Sequence, residues 1–186
     1  MNDRKLFVKI KKKDKDSFVK AYDMYVEDIH RFVYFKVGSQ EEANDITSKV
    51  FLKTWGYILK ESLDRERSLR ALIYKIARNT IIDHYREQSR KSESSIDASE
   101  GLSESLVDEK QDLAKALEID SDIEMIKKAL PMIKDEYREV IIMHYINEMS
   151  FAEIADITGK SKGNVRVISY RALKALKEII ERSQDQ

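Results

Sequence analysis

Residues 149–176 read MSFAEIADITGKSKGNVRVISYRALKAL, the pattern of a short helix, a tight turn and a basic helix. Ser150 is a good N-cap with Glu153 three residues on as its capping-box partner, so a helix is expected from about Ser150, burying Ile154, Ala155 and Ile157. Gly159 ends it. Glycine takes a left-handed backbone at little cost, and the chain can reverse there before Ser161 caps the second helix. On a wheel of about 100° per residue, Val165, Ile168, Ala172, Ala175, Leu176 and Ile179 share one side, and Arg166, Val167, Tyr170, Arg171 and Lys174 the other. From Ile157 to Lys177 there are six Lys or Arg and no Asp or Glu, in a chain whose formal net charge is zero. Its charges are therefore segregated. A lone basic amphipathic helix is as often just a solvated face as a DNA reader, but the preceding helix and the glycine turn favour a helix-turn-helix that reads DNA. Outward residues near the start of its second helix would enter the major groove, where Arg pairs bidentately with guanine and Asn with adenine, while later Lys and Arg meet phosphates. The expected contacts are Lys162, Asn164, Arg166, Val167, Tyr170, Arg171 and Lys174.

With 186 residues, 42% hydrophobic and 37% charged, the chain can hold one ordinary domain or two small ones. A single Pro and five Gly favour helices over a turn-rich sheet protein, so an all-α fold is expected. The absence of cysteine excludes disulfides, thiolate catalysis and cysteine metal sites. Neither an apolar signal-peptide core nor a run approaching 18 apolar residues is present, so no membrane insertion is expected and the chain reads as cytoplasmic.

Upstream, three helices are legible. From Asp16 to Val37, Phe18, Tyr22, Tyr25, Ile29, Phe32 and Val33 recur at helical spacing, and Gly38 stops the run. A second helix is expected from Gln40 to Leu59, with Ala43, Ile46, Val50, Phe51, Trp55 and Ile58 inward. The third should run from about Glu66 to Arg90 around a buried stripe of Leu69, Leu72, Ile73, Ile76, Ala77 and Thr80, with Arg67, Lys75, Arg78 and Arg86 opposite. Between Arg65 and Lys91 stand eight basic and three acidic residues, a second basic surface far in sequence from the first. From Glu93 to Glu124 the composition changes to eleven acidic and two basic residues with thin apolar content, which reads as a flexible acidic linker. It could span roughly 30 Å as a coil and about 100 Å if stretched. The helical pattern returns at Ile126, Ala129 and Leu130, followed by Pro131 and an amphipathic run through Tyr137, Val140, Ile141, His144 and Tyr145. The organisation expected is two small helical domains, 1–92 and 125–186, joined by an acidic flexible linker over 93–124.

Three segments in this order, DITSKVFLKTW at 45–55, RALIYKIARNTIIDHYREQSRK at 70–91 and LPMIKDEYREVIIMHYINEMSFAEIADITGKSKGNVRVISYRALKAL at 130–176, resemble the extracytoplasmic-function group of the bacterial sigma-70 family. The resemblance covers nearly the whole chain apart from the linker. It implies a dissociable initiation subunit that binds core RNA polymerase, reads the minus-10 and minus-35 promoter elements and helps melt the DNA, with residues 1–92 similar to family region 2 and 125–186 to region 4. It further implies polymerase docking by Asp45, Ser48, Lys49 and Leu52, although the family commonly has Gln and Glu at the positions of Ser48 and Lys49. Contact with the downstream box, duplex and single-stranded, would fall to Asp64, Arg65, Arg67, Tyr74, Lys75, Arg78, Asn79 and Arg86, with Glu61 also in the loop that faces a flipped base. An unpaired base needs stacking and edge hydrogen bonds, and its backbone a basic groove, which such residues can supply. The family usually has Trp where this chain has Leu72, Arg where it has Ile168 and Ser where it has Val167. Val167 points outward on the wheel, where its methyls suit a thymine methyl. An anti-sigma factor is a partner that the resemblance also brings in.

No catalytic constellation is visible, and no cofactor or metal is expected. His30, His84 and His144 are distant in sequence, the last two on or near apolar faces. The pairs Asp14 with Asp16 and Asp120 with Asp122 lack companions for a metal, and Gly159 with Gly163 matches no phosphate loop. The basic segment KIKKKDK at 9–15 reads as a solvated helix start, with contact to DNA or polymerase as the alternative. Two competing functions stay open at this level: a dimeric helix-turn-helix transcriptional regulator acting without polymerase docking, and a helical adaptor with no nucleic-acid role, whose association with DNA would scarcely depend on salt.

Overall fold

The computed structural model describes residues 3–61, 63, 66–93 and 125–184, so the expected acidic linker lies outside the described residues except for Glu93, which closes a helix. The chain divides into two compact units, Met1–Ser105 and Leu106–Gln186. Among the described residues every regular element is helical.

In the first unit, α1 spans Asp3–Ile10, α2 Lys15–Val37, α3 Gln40–Lys60 and α4 Leu69–Glu93. Asp14 caps α2 by accepting the backbone N–H of Ser17 at 3.2 Å together with the Ser17 hydroxyl. That hydroxyl bond is the main reason the Asp14 carboxyl is held below its ordinary value, because it stabilises the ionised form. At the other end Gly38 adopts φ 78° and its N–H returns to the Tyr34 carbonyl at 2.8 Å. Ser39 then caps α3 by accepting from the Glu42 N–H at 3.3 Å, so two residues turn α2 into α3.

The helix α4 begins at Leu69 rather than Glu66, because Ser68 is its cap, accepting from the Ala71 N–H at 3.1 Å. Helices α2, α3 and α4 pack against one another and α1 packs on α2. The shared core contains Ile29, Phe32, Val33, Ile46, Val50, Ile58, Leu69, Ile73 and Ala77. Thr54 and Thr80 are buried without orphaning their hydroxyls, which donate to the carbonyls of Val50 and Ile76 at 2.7 and 2.8 Å. Rings close the edges: Phe18 meets Trp55 at 4.8 Å between centroids and Tyr22 meets Phe51 at 4.8 Å. Trp55 and Ile76, expected inside, are only half-buried. The helix α1 is an element that the pattern of lysines with isolated apolar residues concealed; it buries Leu6, Phe7 and Ile10.

In the second unit, helical residues 125–129 lead into a 3-10 turn at Leu130–Met132, and α5 spans Asp135–Ile141. A π turn follows at Ile142–Ile146, closed by the Asn147 N–H on the Ile142 carbonyl at 2.9 Å. This wider turn breaks the expected amphipathic run. Ile141 stays inside, whereas Tyr145, one α-turn later, is 49% exposed. The Ser150 capping box is complete, and Gly159 turns the chain at φ 71° between α6 (Phe151–Thr158) and α7 (Lys162–Gln184). Both α5 and α6 pack on α7, burying Val140, Ile154, Ile157, Val165, Ile168, Ala172 and Leu176.

Candidate nucleic-acid interfaces

Ser161 accepts from the Asn164 N–H at 3.1 Å and so starts α7 immediately after the turn. Burial of Val165, Ile168, Ala172 and Leu176 against the helices that pack on α7 sets which side of it faces outward. Lys162, Asn164, Arg166, Arg171 and Lys174 are exposed, and so are two apolar groups beside them, Val167 at 46% and Tyr170 at 73%. All seven expected contact residues therefore share the outer surface of one helix. The Arg166 guanidinium lies 6.0 Å from the Phe151 ring centroid, at the edge of cation–π range. Phe151 in turn stacks at 4.2 Å on His144, whose Nδ1 donates to the Met149 carbonyl at 2.6 Å. Sequence reasoning missed this row of rings behind Arg166, because the three residues belong to three different elements. Ile168 is 5% exposed, so this side chain serves the core. Lys160 and Lys177, which lie at the margins, pair with Glu136 at 2.7 Å and Glu181 at 3.5 Å.

The first unit offers a more selective surface than its sequence suggested. Tyr74 was expected on the DNA face, but it is fully buried, its ring 5.2 Å from that of Phe32. The cause is the width of the apolar stripe on α4: Leu72, Ile73 and Tyr74 are all covered, since α4 packs against both α2 and α3. Lys75 is about a third exposed and forms an ion pair with Glu66 at 3.3 Å. The other carboxylate oxygen of Glu66 accepts from the Tyr57 hydroxyl at 3.4 Å. Lys75 thus ties α4 to the end of the preceding loop instead of standing clear in solvent. Arg67, Asn79 and Arg86 are exposed and Arg78 is half-buried. Arg86 lies 4.0 Å from Asp83. Asp64 and Arg65 lie outside the described residues.

On α3, Asp45, Ser48, Lys49 and Leu52 are all exposed along one stripe. Leu52 is 73% exposed, unusual for a leucine whose helix buries its opposite face. Ser48 donates its hydroxyl to the Asn44 carbonyl at 3.0 Å, which keeps it close to the backbone and leaves Lys49 and Leu52 prominent.

Residues 21–91 match the family described as Sigma-70 region 2, and residues 123–176 that described as Sigma-70, region 4. The ECF RNA polymerase sigma factor SigW of Bacillus subtilis (strain 168) is 30% identical over 184 residues, covering 94% of this chain and 95% of that protein. Two solved structures share the fold: CnrH in complex with the cytosolic domain of CnrY, with a TM-score of 0.71, 18% identity and 97% of both chains covered, and the sigma factor RpoE in complex with the anti-sigma factor NepR from Bartonella quintana, with a TM-score of 0.69, 22% identity and coverage of 90% of this chain and 98% of that one. The chain belongs to the sigma-70 family of RNA polymerase initiation factors. Within that family it falls in the extracytoplasmic-function group. No helix among the described residues is long and apolar enough to cross a membrane.

Proposed function

We propose that this sigma factor divides its work between the two units, α7 anchoring the upstream promoter element as duplex and α4 with its preceding loop handling the downstream element as it opens. What carries this reading is the outward face of α7, where Lys162, Asn164, Arg166, Val167, Tyr170, Arg171 and Lys174 combine positive charge, a base-reading amide and apolar groups behind a Gly159 turn. Phosphate contacts set register and base edges set specificity, and this face has side chains for both. In the first unit Arg67, Arg78, Asn79 and Arg86 remain the candidates for strand contact, with the Glu66–Lys75 ion pair beside them. The exposed stripe Asp45, Ser48, Lys49 and Leu52 docks core RNA polymerase. On this reading the protein performs no catalysis of its own, works in the cytoplasm with the polymerase, and has an anti-sigma factor as its natural inhibitor.

The experiment is reconstitution with core RNA polymerase on a promoter library. Initiation confined to promoters with two spaced elements, lost at the upstream one when Arg166 is replaced and at the open complex when Arg78 is replaced, supports the division. Tight binding of the isolated protein to a palindromic duplex, with no response to polymerase, would replace it with the dimeric regulator.

A further inference from the structure

The turn between α1 and α2 belongs to neither surface described so far. From Lys5 to Asp16 it carries six lysines against two aspartates. Leu6, Phe7 and Ile10 bury one face of α1, so Lys5, Lys9, Lys11, Lys12 and Lys13 are left at the surface. The turn itself is well defined. The N–H groups of Lys11, Lys12 and Lys13 donate in succession to the carbonyls of Phe7, Lys9 and Ile10 at 2.9, 2.9 and 2.8 Å. Lys13 adopts φ 61°, a left-handed backbone that a lysine holds only where its surroundings impose it. One such constraint is visible: its Nζ donates to the Leu59 carbonyl in the last turn of α3 at 2.6 Å, where the negative end of the helix dipole also favours a cation. This bond places the lysine turn at the C-terminal end of α3, where the chain leaves the helix at Glu61. Along α3, Leu59 lies about 10 Å beyond Leu52, so the turn meets the end of the helix rather than the stripe assigned to polymerase.

We infer that the lysine turn at 9–13 is a phosphate-binding site that grips the promoter backbone beside the downstream element. The inference rests on the function proposed above. A row of surface lysines without base-reading side chains suits a polyanion, and binds it through counterion release rather than sequence. Asp14 caps α2 and its carboxylate also interacts with Lys9, but residues 9–13 themselves hold four lysines and no acid, so the row stays net positive.

The test uses the full chain reconstituted with core RNA polymerase and a fork-junction DNA whose downstream element is single-stranded. The variant replaces Lys9, Lys11 and Lys12 together by Gln and keeps Lys13, which holds Leu59. Each lost phosphate contact lowers the slope of log affinity against log salt by about 0.7 to 0.9, so the slope should become shallower by roughly 2 to 3. Base preference at both promoter elements and affinity for core polymerase should stay as in the wild type. An unchanged salt slope overturns the inference, as does weakened binding to core polymerase, which would make the turn a protein-docking surface. Failure of the wild-type holoenzyme to bind the fork at all would instead count against the proposed function.

Discussion

Replacing Arg166 and Lys174 by Ala, one at a time, should produce two different kinds of loss. Both residues are exposed on α7, but Arg166 stands in the second turn after the Ser161 cap and Lys174 in the fourth. From Lys162 to Lys174 the helix advances about 18 Å, close to five base-pair steps of duplex, so the start of α7 can lie in the groove while its end meets the backbone. The Phe151 ring lies 6.0 Å from the Arg166 guanidinium, at the edge of cation–π range. Removal of Arg166 should cost about 1 to 3 kcal/mol, a loss of roughly 5- to 150-fold, concentrated on one base pair of the upstream element. Removal of Lys174 should weaken all sequences alike and reduce the salt slope by about 0.9. Holoenzyme binding to duplexes carrying every single-base change in the upstream element, at several salt concentrations, separates the two. If Arg166→Ala weakens every duplex equally while Lys174→Ala shifts base preference, the orientation of α7 in the groove is reversed and the reasoning fails.

Tyr74→Ala should lower the stability of the first unit by about 3 to 5 kcal/mol, since it empties a fully buried ring site against Phe32, and urea unfolding followed by Trp55 fluorescence will show it. A variant as stable as the wild type, defective only on DNA, would return Tyr74 to the interface. Leu52→Glu should leave helicity and melting unchanged, because the side chain touches little, yet reduce binding to core polymerase at least tenfold in a competition assay. Gly159→Ala should destabilise the second unit by roughly 1 to 2 kcal/mol through its φ of 71°, read as a lower melting temperature by circular dichroism. The depressed Asp14 carboxyl favours the folded state above its ordinary value of 3.8 and loses that contribution only as pH falls further, through the folded value. Acid titrations of wild type and Asp14→Asn should therefore run parallel above about pH 5 and converge below it. Divergence near neutrality would assign the effect to another group.

The helix-turn-helix was legible because its signals are local. A capping serine with a glutamate three residues on, a glycine that must turn left, and an apolar stripe at helical spacing each act within one or two turns of chain, and the structure realises all three around Ser150, Gly159 and α7. For the same reason α2, α3 and most of α4 could be placed from their apolar periods and caps. Local pattern failed where three-dimensional neighbours decide. The helix α1 is too short and too rich in lysine to announce itself, and it exists because Leu6, Phe7 and Ile10 find partners on α2. The π turn at Ile142–Ile146 shifts Tyr145 outward by inserting one residue into a period that the sequence continues unbroken.

The sequence by itself determined the helical fold, the basic face of α7 and the family, because hydrophobic period, capping and charge segregation are properties of neighbouring residues. Only tertiary structure decided which groups on α4 reach solvent. Tyr74 and Lys75 are adjacent and looked alike as nucleic-acid contacts, but packing of α4 on two helices at once buries the first, and Glu66, brought back by the loop, captures the second. It also decided that the lysines of the N-terminal segment stand at the end of α3, through the bond from Lys13 to Leu59, 46 residues away in the chain. Such long-range pairings depend on where helices meet, which no local pattern encodes.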